Sequence, residues 1–166
     1  ARINSRQQVN LRFERLQKDL QLDDLPERIE CFDISHSSGD QTVAPCVVFT
    51  HEGPKKSDYR KFNIDGITGG DDYAAMRQAI ERRYTRIKKG EGLLPDILLI
   101  DGGKGQLNQA IEVLEELQIS EVLIIGVAKG TSRKPGLETL FIGSADKPLT
   151  LPGRNILNLI AVLGCV

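Results

Sequence analysis

The segment from Pro95 to Ala128 constrains the fold more tightly than any other part of the chain. Residues 96–101 (DILLID) are a short, nearly continuous apolar run, the pattern of a strand covered on both faces of a sheet. Gly102-Gly103-Lys104-Gly105 follows, and residues 106–119 then carry Leu107, Ala110, Ile111, Leu114 and Leu117 on one helical face. Residues 122–128 (VLIIGVA) form a second buried strand. Strand, helix and strand in that order make a crossover between parallel neighbours, and the fold class is therefore α/β.

The region before this unit has a different texture. Residues 29–35 (IECFDIS), 43–50 (VAPCVVFT) and 57–64 (SDYRKFNI) read as three strands joined by tight turns, an antiparallel meander. Pro45 places the second of them at a sheet edge or at a bulge, because proline cannot donate to a ladder. A glycine-rich loop, residues 65–70, feeds a helix over 71–90 in which Tyr73, Met76, Ile80, Tyr84 and Ile87 recur at spacings of three and four. Acidic residues open that helix and Arg86, Lys88 and Lys89 close it, in line with the helix dipole.

The two ends are read more simply. Residues 1–26 hold an amphipathic helix that either packs on the domain or ends a linker, with Val9, Phe13, Leu16 and Leu20 on its apolar face. Residues 27–166 make one α/β domain, with a small hairpin expected over 137–143 and 147–153 and an apolar tail over 156–166. No apolar run reaches the roughly 18 residues of a membrane span, and the first residues lack the apolar core of a secretion signal. A cytoplasmic protein is expected, with Cys31, Cys46 and Cys165 as reduced thiols.

A net charge of -1, from 22 basic and 23 acidic residues, gives no sign of a nucleic-acid partner by itself. The placement of the charges is more informative. Asp33 lies among apolar neighbours, Asp101 ends a buried strand, and Asp72 stands where a glycine loop enters a helix. A carboxylate is costly in apolar surroundings unless it is paired, hydrogen-bonded or on a metal. Three such acids meeting at one sheet edge would suit Mg²⁺ or Mn²⁺, and such ions serve phosphodiester cleavage. Taken singly, Asp72 also fits a helix start and Asp101 a turn before glycine.

Basic residues fall in two groups, Arg82, Arg83 and Arg86 on the helix, and Lys129, Arg133 and Lys134 in a loop. Each group is either a solvated surface or a hold on a DNA backbone. Lys104 in GGKG can reach an oxyanion as a point charge, although the full phosphate-loop pattern is absent. His36, three residues past Asp33, either supports the site or caps a turn. A nucleotide-dependent phosphotransferase built on GGKGQ is a rival reading, and a binding module without catalysis is another.

FDISH (32–36), GITGGDDYAAMRQ (66–78), ILLIDGGKGQL (97–107), VAKG (127–130) and GLETLF (136–141) resemble the C-terminal endonuclease domain of bacterial UvrC. The resemblance implies an RNase H-like mixed sheet, with three antiparallel strands, two more in a β-α-β arrangement and flanking helices. It implies the 5′ incision beside a lesion in damaged double-stranded DNA, made with Mg²⁺ or Mn²⁺ by a longer protein that works with UvrA and UvrB. It assigns the catalytic carboxylates to Asp33, Asp72 and Asp101, and makes Lys104 a family position. It also implies a histidine in a charged segment resembling DEAHRF. After LTLP this chain reads GRNILNLIAVLGCV, so a domain altered or incomplete at its C-terminal side, with impaired incision, is expected.

Overall fold

The computed structural model describes residues 5–37, 41–128, 139–142 and 148–149. Helix α1 spans Ser5–Asp19 and is followed by strands β1 (Arg28–Phe32), β2 (Ser35–Ser37), β3 (Gln41–Thr50), β4 (Gly53–Pro54) and β5 (Arg60–Asn63), with a short 3₁₀ turn at Lys56–Asp58. Helix α2 (Asp72–Lys88), β6 (Ile97–Asp101), α3 (Lys104–Glu116), β7 (Leu123–Ala128), β8 (Thr139–Ile142) and β9 (Pro148–Leu149) complete the described elements.

The strands form one mixed sheet. Its antiparallel part is β1–β3–β5, as the meander reading expects, and β1, β6 and β7 run parallel. Strands β8 and β9 add antiparallel neighbours beyond β7, so the expected hairpin is present within narrower bounds. The helix α3 joins β6 to β7 as the crossover.

The sheet is covered on both faces, and the alternation along its strands shows it. On one face Ile29, Cys31, Ile97, Leu99, Ile125 and Val127 pack with Val9, Phe13 and Leu16 of α1. Phe13 stacks on Phe49 with ring centroids 5.9 Å apart. Each such fully buried apolar side chain contributes about 1.5–3 kcal/mol, so α1 is bound to the sheet as part of the fold. On the other face Phe32, Leu98 and Ile100 meet Met76, Ile80 and Tyr84 of α2 and Leu107, Ala110 and Leu114 of α3.

Pro45 departs from its expected place. Strand β3 is flanked on both sides, by β1 and β2 on one and by β4 and β5 on the other, and its register is unbroken: Phe32 faces Cys46 and Ser35 faces Val43. The Asp33 N–H donates to the Pro45 carbonyl at 3.3 Å, but Pro45 has no N–H to return. The ladder opens at that pair, and this is where β1 stops and β2 begins. Cys46 is a buried free thiol, as expected, whereas Cys31 is disulfide-bonded and so departs from that expectation.

Candidate active site

Strands β1 and β6 run side by side and end together. Their parallel register pairs Phe32 with Ile100, and the next residues are Asp33 and Asp101. Parallel neighbours lie about 4.8 Å apart, so the two carboxylates spring from adjacent backbone positions at the carboxyl ends of their strands. Ligands of α/β sheets collect at such ends. Asp33 is half-buried, and its Oδ1 accepts the Ile34 N–H at 2.8 Å. Asp101 is half-buried too and sits opposite Val127 of β7.

The same edge receives the first residue of α2. Capping of this helix falls to Asp71, whose Oδ1 accepts the Ala74 N–H at 3.1 Å. Asp72 is therefore not needed as the cap, and its Oδ1 lies 2.8 Å from His36 Nε2. The other ring nitrogen of His36, Nδ1, is 3.2 Å from the hydroxyl of the buried Thr42. A carboxylate only accepts, so Nε2 carries the proton given to Asp72, and in the neutral ring Nδ1 accepts from Thr42. The imidazole is thus held from both sides.

The glycines after Asp101 make room for specific neighbours. A side chain at Gly102 would put its Cβ 2.3 Å from Gln106 Oε1, the atom that accepts the Gly103 N–H at 2.8 Å. At Gly105 a Cβ would lie 2.0 Å from the Tyr73 ring. Where α3 begins, the space beside Gly102 is taken by the Gln106 side chain and the space beside Gly105 by the Tyr73 ring. Lys104, the first residue of α3, is exposed there.

A profile of the UvrC RNase H endonuclease domain matches residues 17–163. The chain belongs to the UvrC RNase H endonuclease domain family. It is 61% identical over 155 residues to UvrABC system protein C of Ectopseudomonas mendocina (strain ymp), covering 93% of the chain and 26% of that relative. It is 63% identical over 153 residues to UvrABC system protein C of Pseudomonas savastanoi pv. phaseolicola, covering 92% of the chain and 25% of that relative. The chain thus spans about a quarter of the length of these relatives. The crystal structure of human ENDOV aligns with a TM-score of 0.51 at 15% identity, over 93% of this chain and 88% of that one. That likeness shows a shared RNase H-like fold.

In this UvrC-type domain the basic residues on α2 do not gather around the acids. From Asp72 the helix rises about 15 Å to Arg82 and about 21 Å to Arg86. Arg82 lies over the Phe62 ring at 5.5 Å and donates to the Asn63 carbonyl at 2.7 Å. Arg86 lines a cleft of about 440 Å³ with Arg28, Lys55, Arg60 and Glu91, beside the start of β1. Arg83, expected either on a solvated surface or on a DNA backbone, is buried instead. It donates to both carboxylate oxygens of Glu30, a residue with no exposure at all. Burial opposes its charge, but the Glu30 bonds outweigh that and hold the guanidinium above its ordinary pKa. Lys129, Arg133 and Lys134 lie outside the described residues, as does the tail from residue 150 onward.

Two residues of the UvrC-type domain escape the sequence reading. Tyr73, which shares the helical spacing of Met76, Ile80 and Tyr84, is 53% exposed. Glu30 interrupts an apolar strand just as Asp33 does, and the same signal was available for it. Among the described residues no group of three His, Cys, Asp or Glu side chains is gathered closely enough to hold a metal ion. The donor chemistry nonetheless fits Mg²⁺ or Mn²⁺, because such ions take hard oxygen ligands. Mg²⁺ is usually bound through one or two carboxylates, completed by waters and substrate phosphate. Asp33 and Asp101 are the pair that could hold such an ion.

Proposed function

We propose that this chain is a metal-dependent DNA endonuclease domain of the kind that hydrolyses a phosphodiester to make the 5′ incision of nucleotide excision repair, with that incision impaired as the sequence after LTLP implies. The observation that carries the reading is the meeting of Asp33 and Asp101 at adjacent parallel strand ends, with the His36–Asp72 pair on the same edge. Asp33 and Asp101 would hold Mg²⁺ or Mn²⁺, with Asp72 held by His36 at the same end of the sheet. When bound, the metal would supply activation of a water and charge neutralisation on the leaving oxygen.

The remaining residues bind and orient. Lys104 offers a point charge to the phosphate from the exposed start of α3. His36, fixed between Thr42 and Asp72, keeps the Asp72 carboxylate in one orientation. The substrate is damaged double-stranded DNA, presented by UvrA and UvrB to a longer protein of which this domain is one part. Family membership supports that setting.

The test is nicking of a bubbled duplex with Mn²⁺, comparing the chain with Asp33→Asn and Asp101→Asn. Both variants should keep their circular dichroism spectra, lose the nicking shown by the unaltered chain, and bind Mn²⁺ more weakly in calorimetry. Unchanged Mn²⁺ binding by Asp101→Asn would sink the site assignment. The alternative reading is a DNA- or protein-binding module that keeps the nuclease fold without catalysis. DNA binding by the unaltered chain with no nicking in Mg²⁺ or Mn²⁺ would select that one.

A further inference from the structure

We propose that Tyr73 is a stacking contact for an unpaired nucleobase at the edge of the site, an inference that rests on the reading of this chain as a DNA-binding nuclease domain. Spacing alone would bury Tyr73 with Met76, Ile80 and Tyr84, and those three are fully buried. Tyr73 instead is 53% exposed. A large aromatic side chain left in water is informative when its position is defined, and here it is. The ring tip occupies the space that a side chain at Gly105 would fill, with Cζ 2.0 Å from where that Cβ would be. The first turn of α3 is therefore shaped to receive it.

Its neighbours place the ring at the candidate site. Asp72, the preceding residue, is bonded to His36 at 2.8 Å. Gly105, its seat, lies four residues beyond Asp101 and next to the exposed Lys104. A half-exposed aromatic ring seated at Gly105, next in sequence to Lys104 and to Asp72, matches the chemistry of a nucleotide whose phosphate is held by charge and whose base is held by stacking. Every base has such a face, so the contact is tolerant of sequence but requires the base to be unpaired. A fully paired duplex offers no free face, and a bubble does.

The experiment measures binding by the full chain in EDTA, so that cleavage does not interfere, using fluorescence anisotropy on a bubbled duplex and a fully paired one. Tyr73→Ala should weaken binding to the bubble by about 5- to 150-fold and leave the paired duplex unchanged. Tyr73→Phe should stay within about twofold of the unaltered chain. Gly105→Ala should displace the ring and repeat the Tyr73→Ala defect without lowering the melting temperature. The chain has no tryptophan, so Tyr73→Trp provides a single reporter whose emission bubbled DNA should quench.

Bubble binding with unchanged emission, or equal loss of both duplexes in Tyr73→Ala, overturns the stacking role and leaves the nuclease reading standing. Failure of the unaltered chain to bind either DNA overturns the proposed function, and this inference with it.

Discussion

Arg83 and Glu30 are joined by two hydrogen bonds inside the protein, Nε to Oε1 at 2.7 Å and Nη2 to Oε2 at 2.9 Å. Tyr84 adds its hydroxyl to Oε1 at 2.8 Å and Arg28 its Nε to Oε2 at 3.0 Å, so one carboxylate on β1 gathers three residues. No buried side-chain nitrogen or oxygen among the described residues lacks a partner. The cluster ties α2 to the sheet by charge as well as by packing.

Removing the shared acceptor should therefore cost more than removing one donor. Glu30→Ala leaves Arg83 buried without a counter-charge, and breaking a buried pair in this way costs about 3–5 kcal/mol. In a chain of this size that lowers the melting temperature by about 6–20 °C. Arg83→Met should cost less, because Glu30 keeps Arg28 and Tyr84. Thermal unfolding checks the order. Since Arg83 is not a surface cation, Arg83→Met should also leave the salt dependence of DNA binding unchanged. A slope smaller by about one would place Arg83 on a phosphate instead.

The buried thiol and phenol give a pH dependence of definite sign. Burial pushes Cys46 upward, helped by the Glu30 charge, and the same two causes hold Tyr84 well above its ordinary value. A raised pKa means the folded protein keeps a proton that the unfolded chain releases. Stability from these groups is intact below their unfolded values and falls as pH rises past about 8.5 for the thiol and about 10 for the phenol. Denaturant titrations from pH 7 to 11 should show this loss, and Cys46→Ala should remove its first part. A flat profile up to pH 10 in the unaltered chain would sink the assignment.

Most of the fold could be read from the sequence, because its elements are long and strongly periodic. The Asp96–Ala128 stretch has apolar side chains on both faces of its strands and on one face of its helix, which leaves one arrangement. What escaped depended on partners distant in sequence. Arg83 reads as part of a basic surface until the strand that carries Glu30 is packed beneath it. Tyr73 reads as a core residue because periodicity is blind to where a helix runs past the sheet. The acids were legible one by one as carboxylates in costly places. The adjacency of Asp33 and Asp101 needed the register of β1 on β6, and the His36–Asp72 bond needed the loop that brings α2 back to β2.

The His36–Asp72 pair should matter to function and little to stability. Both side chains are substantially exposed, at 48% and 39%, and exposed contacts of this kind contribute at most about 1 kcal/mol. His36→Ala is expected to melt within about 4 °C of the unaltered chain while nicking falls about 10- to 100-fold, the usual effect of losing a partner that orients a ligand. His36→Gln, which can still donate to Asp72, should recover part of that loss. Equal nicking by all three proteins would remove His36 from the site.

Gly126 on β7 and Leu107 on α3 offer a test of how the crossover is packed. A Cβ at position 126 would lie 2.9 Å from Leu107 Cδ2 and 3.2 Å from its Cβ, and the second of these atoms cannot swing away without moving the helix. Both positions are buried between the sheet and α3. Gly126→Ala should therefore overpack the interface at a cost of about 1–3 kcal/mol, lowering the melting temperature by about 2–12 °C. Leu107→Ala alone should cost about 2–5 kcal/mol through the cavity it leaves. In the double variant the new methyl group occupies part of that cavity, so the combined loss should be smaller than the sum by about 0.5–3 kcal/mol. Strict additivity in the cycle would mean that the two residues do not meet. Because α3 begins three residues before Leu107, Gly126→Ala should also shift Lys104 and reduce DNA affinity beyond what the melting change alone explains.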